Sequence, residues 1–270
     1  MKTSLVALSL LGIAGCVTAG SEDSSFLSEI GKADTAAGGT FVRFAHLAKA
    51  PAGDFCFAPR GSSNFIGPVL RMLGLRDGVE PSQVTRYFAA PPGAYDLRLV
   101  PGGFDSCDRV LGLPDVTDLP SLSPGSRITI AALGELGPAA QPLTLRAVID
   151  EAADHPDSVK VRFVHAAVGA PALDVLARFG SSYFPVFTGV DFGKTGAGNA
   201  SGYFVTAPMR VPVALRPTGS NQDLLTLPDL DLPAGRSLTA YAVQTTSLRL
   251  LVCEDASVDA PAACHLEPAP

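Results

Sequence analysis

The chain has 270 residues, 47% of them hydrophobic and 17% charged, with 27 Gly, 23 Pro, 5 Cys and no Trp. So much apolar side chain excludes a disordered chain, and the scatter of Gly and Pro excludes collagen and coiled coil. A net charge of −6 offers no basic footprint for nucleic acid or anionic lipid.

Residues 1–15 read as an export signal. Lys2 supplies the positive start, and Leu5 to Ala14 form an apolar stretch too short to span a bilayer. It runs into Ile13-Ala14-Gly15-Cys16, an aliphatic and two small residues before a cysteine, which resembles the lipobox of bacterial lipoproteins. The resemblance implies diacylglycerol on the Cys16 thiol, cleavage before it and acylation of the new N-terminus. Several acyl chains exceed the two signals that stable anchoring needs. Val17 stands where many such proteins carry an Asp for inner-membrane retention, so the expected place is the outer membrane, facing the periplasm or the surface. Residues 16–40 are rich in small and polar side chains and read as a flexible tether.

Comparing the chain with itself shows a repeat. Val42-Arg43-Phe44-Ala45-His46 recurs as Val161-Arg162-Phe163-Val164-His165, each followed by an Ala-Pro pair and then by Asp54 or Asp174. Gly61-Ser62-Ser63 answers Gly180-Ser181-Ser182, Tyr87-Phe88 answers Tyr203-Phe204, and Leu113-Pro114-Asp115 answers Leu227-Pro228-Asp229. The stretch from Pro124 to Thr129 aligns with that from Ala234 to Thr239. The order never changes, as two copies of one domain require, at 41–150 and 159–254, with 255–270 left as a tail.

Each copy reads as β. Val161, Phe163 and His165 share one face of an extended segment, with Arg162 and Val164 on the other. Residues 96–100 and 127–130 alternate likewise, and Pro212 places 211–216 at a sheet edge or a bulge. Pro68 to Leu75 is the one short helical turn expected, and Pro-Gly pairs punctuate the rest. The fold class is all-β: two tandem immunoglobulin-like or transthyretin-like β-sandwiches of about seven strands each. The Val-Arg-Phe-x-His start, the Ala-Pro-x-x-Asp segment, a Tyr before a Pro-Gly-type turn and a late Ala-Gly-x-x-Leu-Thr strand resemble the DUF4397 family. That resemblance implies secreted or surface β-sandwiches, often in tandem, without an assigned activity. Copy one departs from the pattern at Gly53 and in a longer insertion after Gly61.

With Cys16 given to lipid, Cys56, Cys107, Cys253 and Cys264 remain. An even count in an exported chain points to disulfides, with three pairings open and Cys56–Cys107 and Cys253–Cys264 preferred. Zinc at Cys264-His265 is the alternative, but no Cys-x-x-Cys spacing accompanies it. The recurring pairs His46 with Asp54 and His165 with Asp174 are candidate binding residues. The competing reading makes each His a strand-end hydrogen-bond donor and each Asp a turn cap. Asp115, Asp118, Asp229 and Asp231 lack calcium-loop spacing and read as solvated loop carboxylates. Gly-Ser-Ser reads as a hairpin turn, and Arg43 and Arg162 as covering the outer face of a sheet or pairing with a carboxylate.

No catalytic residue, metal or cofactor is implied by any of these spacings. The expected function is a lipid-anchored, non-catalytic protein of the cell envelope, binding or structural, with an envelope protein or cell-wall polysaccharide as partner. A carbohydrate-binding module is the alternative, against which the absence of Trp weighs. A secreted hydrolase stands third.

Overall fold

In the computed structural model the chain is described at residues 39–196, 198–255 and 264–267. The signal, Cys16 and the tether lie outside the described residues. Among the described residues no helix is long and apolar enough to cross a membrane.

The first half contains β1 (Thr40–His46), β2 (Gly53–Pro59), α1 (Val69–Met72), β3 (Gln83–Val84), β4 (Phe88–Ala90), β5 (Tyr95–Pro101), β6 (Arg127–Leu133) and β7 (Thr144–Asp150). The second contains β8 (Val159–His165), β9 (Leu173–Phe179), β10 (Ser182–Val190), β11 (Tyr203–Thr206), β12 (Met209–Pro217), β13 (Leu225–Leu232), β14 (Arg236–Gln244), β15 (Leu248–Asp255) and β16 (Cys264–Glu267). Among the described residues the fold is all-β apart from one turn of helix.

The two halves are wired alike. In the first, β1 lies parallel to β6, which pairs antiparallel with β7, while β3 and β4 both pair with β1. In the second, β8 lies parallel to β14, β14 pairs with β15, and β11 pairs with β8. Arg43 stands opposite Thr129 in the first parallel pair, and Arg162 stands opposite Thr239 in the second. The turns Pro124-Gly125 and Ala234-Gly235 enter β6 and β14 with both glycines at positive φ, 78° and 71°, where a Cβ would be strained. Facing these sheets are β2–β5 in the first half and β10-β9-β12-β13 in the second.

Strand alternation decides what each face buries. Val42 and Phe44 of β1, with Ile128 and Ile130 of β6, enter the core of the first half. Phe163 of β8, with Leu238 and Ala240 of β14, enters the core of the second. The other faces of the same strands are buried too. Ala45, Ala131 and Leu133 pack against Val164, Tyr241, Val243 and Leu251 in a third cluster between the halves. The result is four stacked sheets, the two central ones buried on both sides. That explains runs such as Ile128–Leu133 and Leu238–Val243, which are apolar almost throughout instead of alternating with polar residues.

Several local expectations change. Of the two places open to Pro212 the structure takes the bulge and not the edge: β12 lies between β9 and β13, and the register with β13 shifts between Val211 and Val213, which absorbs the missing N–H. Gly180-Ser181 makes the β9–β10 hairpin, but after Gly61 the chain does not return as a strand; it enters an insertion carrying α1. Asp229 and Asp231 lie within β13 and pair with Arg210, while Asp115 is held by Arg98, so these three are not free loop carboxylates. The presumed tail contains β16, and Asp255 is the last residue of β15.

Disulfides join Cys56 to Cys107 and Cys253 to Cys264. Among the described residues no three His, Cys, Asp or Glu side chains gather as they would around a metal ion.

Candidate functional site

The two recurring histidines end β1 and β8, and each closes the loop that follows. His46 Nε2 lies 2.8 Å from the Pro51 carbonyl, and His165 Nε2 lies 2.9 Å from that of Pro171. A carbonyl only accepts, so each Nε2 carries a proton and donates; His165 Nδ1 receives the Ala167 N–H at 3.3 Å, which makes that ring neutral, whereas His46 Nδ1 is buried without a hydrogen bond. The aspartates work elsewhere. Asp54 accepts the backbone N–H groups of Phe55, Leu70 and Arg71 at 2.7–2.8 Å, tying α1 to β2. Asp174 accepts the Gly189 N–H and the Thr218 hydroxyl. No hydrogen bond joins His46 to Asp54 or His165 to Asp174 among the described residues. Each residue organises a loop, and the structure does not assemble the pairs into a shared site.

Burial pushes both imidazoles below their ordinary value of 6.5, and the hydrogen bonds to Pro51 and Pro171 oppose this only in part. An unfolded chain therefore takes up protons first as pH falls, so stability is full above about pH 6.5 and declines below it, by up to about 1.4 kcal/mol per pH unit for each histidine. Asp54 acts in the opposite sense further down, because burial raises its carboxyl above 3.8 and its protonation then favours the folded chain. Urea midpoints measured from pH 7.5 to 5 should fall, and His165→Gln should flatten that slope. An unchanged slope would show that His165 is not a source of it.

The strongest electrostatic feature lies between the halves. Arg43 and Arg162 are fully buried, not on an outer face. Arg43 donates through Nε to Thr129 of its own half at 2.7 Å, then reaches across to the Asp255 carboxylate and to the Glu254 carbonyl at 3.0 Å. Arg162 donates to Thr239 at 2.8 Å, then crosses to Asp150 at 2.5 Å and to the Ile149 carbonyl at 2.6 Å. Each carboxylate is held at home as well: Asp150 by Tyr87 and Thr129 at 2.7 and 2.5 Å, Asp255 by Tyr203 and Thr239 at 2.7 and 2.6 Å. The guanidinium groups lie over the Tyr87 and Tyr203 rings at 4.8 and 4.5 Å.

Two arginines and two aspartates are thus exchanged between the halves in a neutral, nearly symmetric clasp. Every carboxylate has several donors, which is the condition under which buried charges are tolerated. Burial works against the charge of both arginines, but the two carboxylates outweigh it and hold them above their ordinary range; burial and the same carboxylates together raise both tyrosines, so the guanidinium groups stay charged and the phenols stay protonated. Tyr241 lies beside them, its hydroxyl buried without a hydrogen bond.

Repetition in the sequence singles out Arg43 and Arg162, Thr129 and Thr239, and Tyr87 and Tyr203, but not Asp150 and Asp255. The signal that finds the aspartates is strand register. Asp150 stands opposite Arg127 and Asp255 opposite Ser237, the same place two residues before each threonine.

The second feature is an open apolar cleft of about 280 Å³ between the sheets of the second half. Phe163, Val175, Ala177, Val213 and Ala240 line its depth, and Phe179, Phe184 and Phe204 stand at its open side, each more than 40% exposed. Thr206 is the one polar residue of the lining, and no charged residue contributes to it.

No curated protein matches the chain. Among solved structures, a carbohydrate-binding module of family CBM26 from Eubacterium rectale, in complex with maltoheptaose, is 12% identical over 76% of this chain and 92% of that one, with a TM-score of 0.18. A protein provisionally described as a cell adhesion protein from Bacteroides ovatus is 9% identical over 81% and 98%, with a TM-score of 0.20. A similarly described protein from Bacteroides fragilis is 12% identical over 81% and 99%, again with a TM-score of 0.20. Scores this low carry no argument about what the chain binds. One family does match, over residues 73–176, a stretch that begins just after α1 and ends within β9 and so covers parts of both halves. Its description is "Domain of unknown function (DUF4397)", and residues 73–176 of the chain are similar to that family.

Proposed function

We propose that the chain is a lipid-anchored, non-catalytic binding protein of the cell envelope, built from two copies of the DUF4397 domain and held off the outer membrane by a tether. The observation that carries this reading is the clasp. It locks the two halves into one body, and it consumes the most strongly perturbed acids and bases of the described residues where solvent does not reach them. Perturbed groups in an open cleft would speak for catalysis. The cleft of the second half is lined almost wholly by hydrocarbon, which suits binding.

Two disulfides fit an oxidising compartment, and Ile13-Ala14-Gly15-Cys16 supplies the anchor. The full chain should fractionate with membranes and partition into detergent, and Cys16→Ser should move it to the soluble fraction of the envelope. A Cys16→Ser chain that still partitions with membranes would overturn the anchor. Turnover of a hydrolase substrate abolished by His165→Ala would overturn the non-catalytic reading.

A further inference from the structure

The two halves share one frame but not one filling. In β2–β5, Phe55 stands opposite Leu99 and Phe57 opposite Leu97. The matching places in β9–β12 are Val175 opposite Leu215 and Ala177 opposite Val213. In the parallel pairs, Ile130 faces Phe44 in the first half, and Ala240 faces Phe163 in the second. Three large side chains of the first half are therefore replaced by Val, Ala and Ala in the second. The consequence is visible in the void volumes. The first-half space beside Phe57 and Ile130 is about 10 Å³, whereas the second-half cleft beside Ala177 and Ala240 is about 280 Å³.

We infer that the hollowed second sandwich is a binding site for a single uncharged hydrocarbon chain, such as the alkyl chain of a lipid or fatty alcohol. Charge and polarity select the occupant: the lining has no charged group and one hydroxyl, on Thr206, so the buried part of a ligand carries neither charge nor an array of hydrogen-bonding groups. Size selects it too. An apolar cavity of about 150 Å³ takes a benzene molecule, so one of this size takes roughly a dozen non-hydrogen atoms. The open side, rimmed by Phe179, Phe184 and Phe204, lets a polar head remain in water while the chain enters between the sheets. A sugar needs several polar partners at once, and this lining does not offer them. The inference stands apart from the lipid anchor and does not require it.

The test uses the full chain carrying Cys16→Ser, which keeps detergent out of the assay, with any contribution from the leader common to all variants. The neutral fluorophore N-phenyl-1-naphthylamine, which brightens in apolar surroundings, should bind saturably with one site per chain, and decanol should displace it. Ala177→Phe with Ala240→Ile restores the first half's filling; it should weaken probe binding at least tenfold while holding or raising the thermal midpoint. Ala240→Ile alone gives a milder filling, decisive if the double variant does not fold. Probe binding that does not saturate, that survives refilling in a folded variant, or that is displaced by maltoheptaose and not by decanol would overturn the inference.

Discussion

Asp255→Ala should lower the unfolding free energy by about 3–5 kcal/mol, because it leaves Arg43 buried in the interface without its cross-half carboxylate. The number comes from the asymmetry of buried charge. The pair itself returns little net energy after desolvation, but a single uncompensated guanidinium must draw in water or break the packing around it. Arg43→Met combined with Asp255→Leu removes the charges together, so the double variant should lose much less than the sum of the two single variants. A second signature is cooperativity. The parent chain should unfold in urea as one transition, since Arg43, Arg162, Asp150 and Asp255 tie each half to the other. Asp255→Ala should separate the transitions of the two halves. A single unaltered transition with a loss under about 1 kcal/mol, as for an exposed pair, would show that the clasp does not couple them.

Opening the Cys56–Cys107 disulfide by Cys107→Ser should cost about 4 kcal/mol, on a loop-entropy argument for a separation of 51 residues. The site of the bond explains why the loss should concentrate in the first half. There β2 and β5 form a two-stranded sheet, which on its own is marginal. Irregular segments complete it through isolated pairings of Phe57 with Ile66, Leu97 with Val116 and Gly93 with Leu122. The disulfide pins the segment after β5 against β2, helped by Arg98, which donates to both oxygens of Asp115 at 2.7 Å and to the Cys107 carbonyl at 3.1 Å. Reducing Cys253–Cys264 should cost less, about 3 kcal/mol for a separation of 11, and should release only β16. Urea titrations of the two single variants would rank the bonds. A larger loss for Cys264→Ser than for Cys107→Ser would contradict the argument.

Much of the frame was readable from residues alone. The motif Val-Arg-Phe-x-His announced β1 and β8, the alternation at 96–100 announced β5, and the apolar turn after Pro68 announced α1. The histidines and aspartates were legible as conspicuous residues, and of their two readings the structure matches the loop-closing one and not the shared site. Repetition marks whatever the frame requires, and a loop-closing imidazole is required as strictly as a ligand. The same holds for Arg43 and Arg162. Alternation placed them opposite the core residues, where a charged side chain either covers an outer face or pairs with a carboxylate, and the pairing is what the structure shows. What escaped was that this outer face is an inner one, packed against the other half.

The sequence by itself determined the periodicity of the strands, the even set of four cysteines beyond Cys16, and the repeated motifs, because each is written in residues close together or in order along the chain. The tertiary structure alone decided the partners. Arg43 meets Asp255 across 212 residues, a contact that depends on how two sheets stack and not on any local preference. It alone exposed the cleft as well. Val175, Ala177 and Ala240 are unremarkable small apolar residues until strand register sets them beside Phe55, Phe57 and Ile130 of the other half. Side-chain period tells a residue which way to face; only packing tells it what is there, or that nothing is.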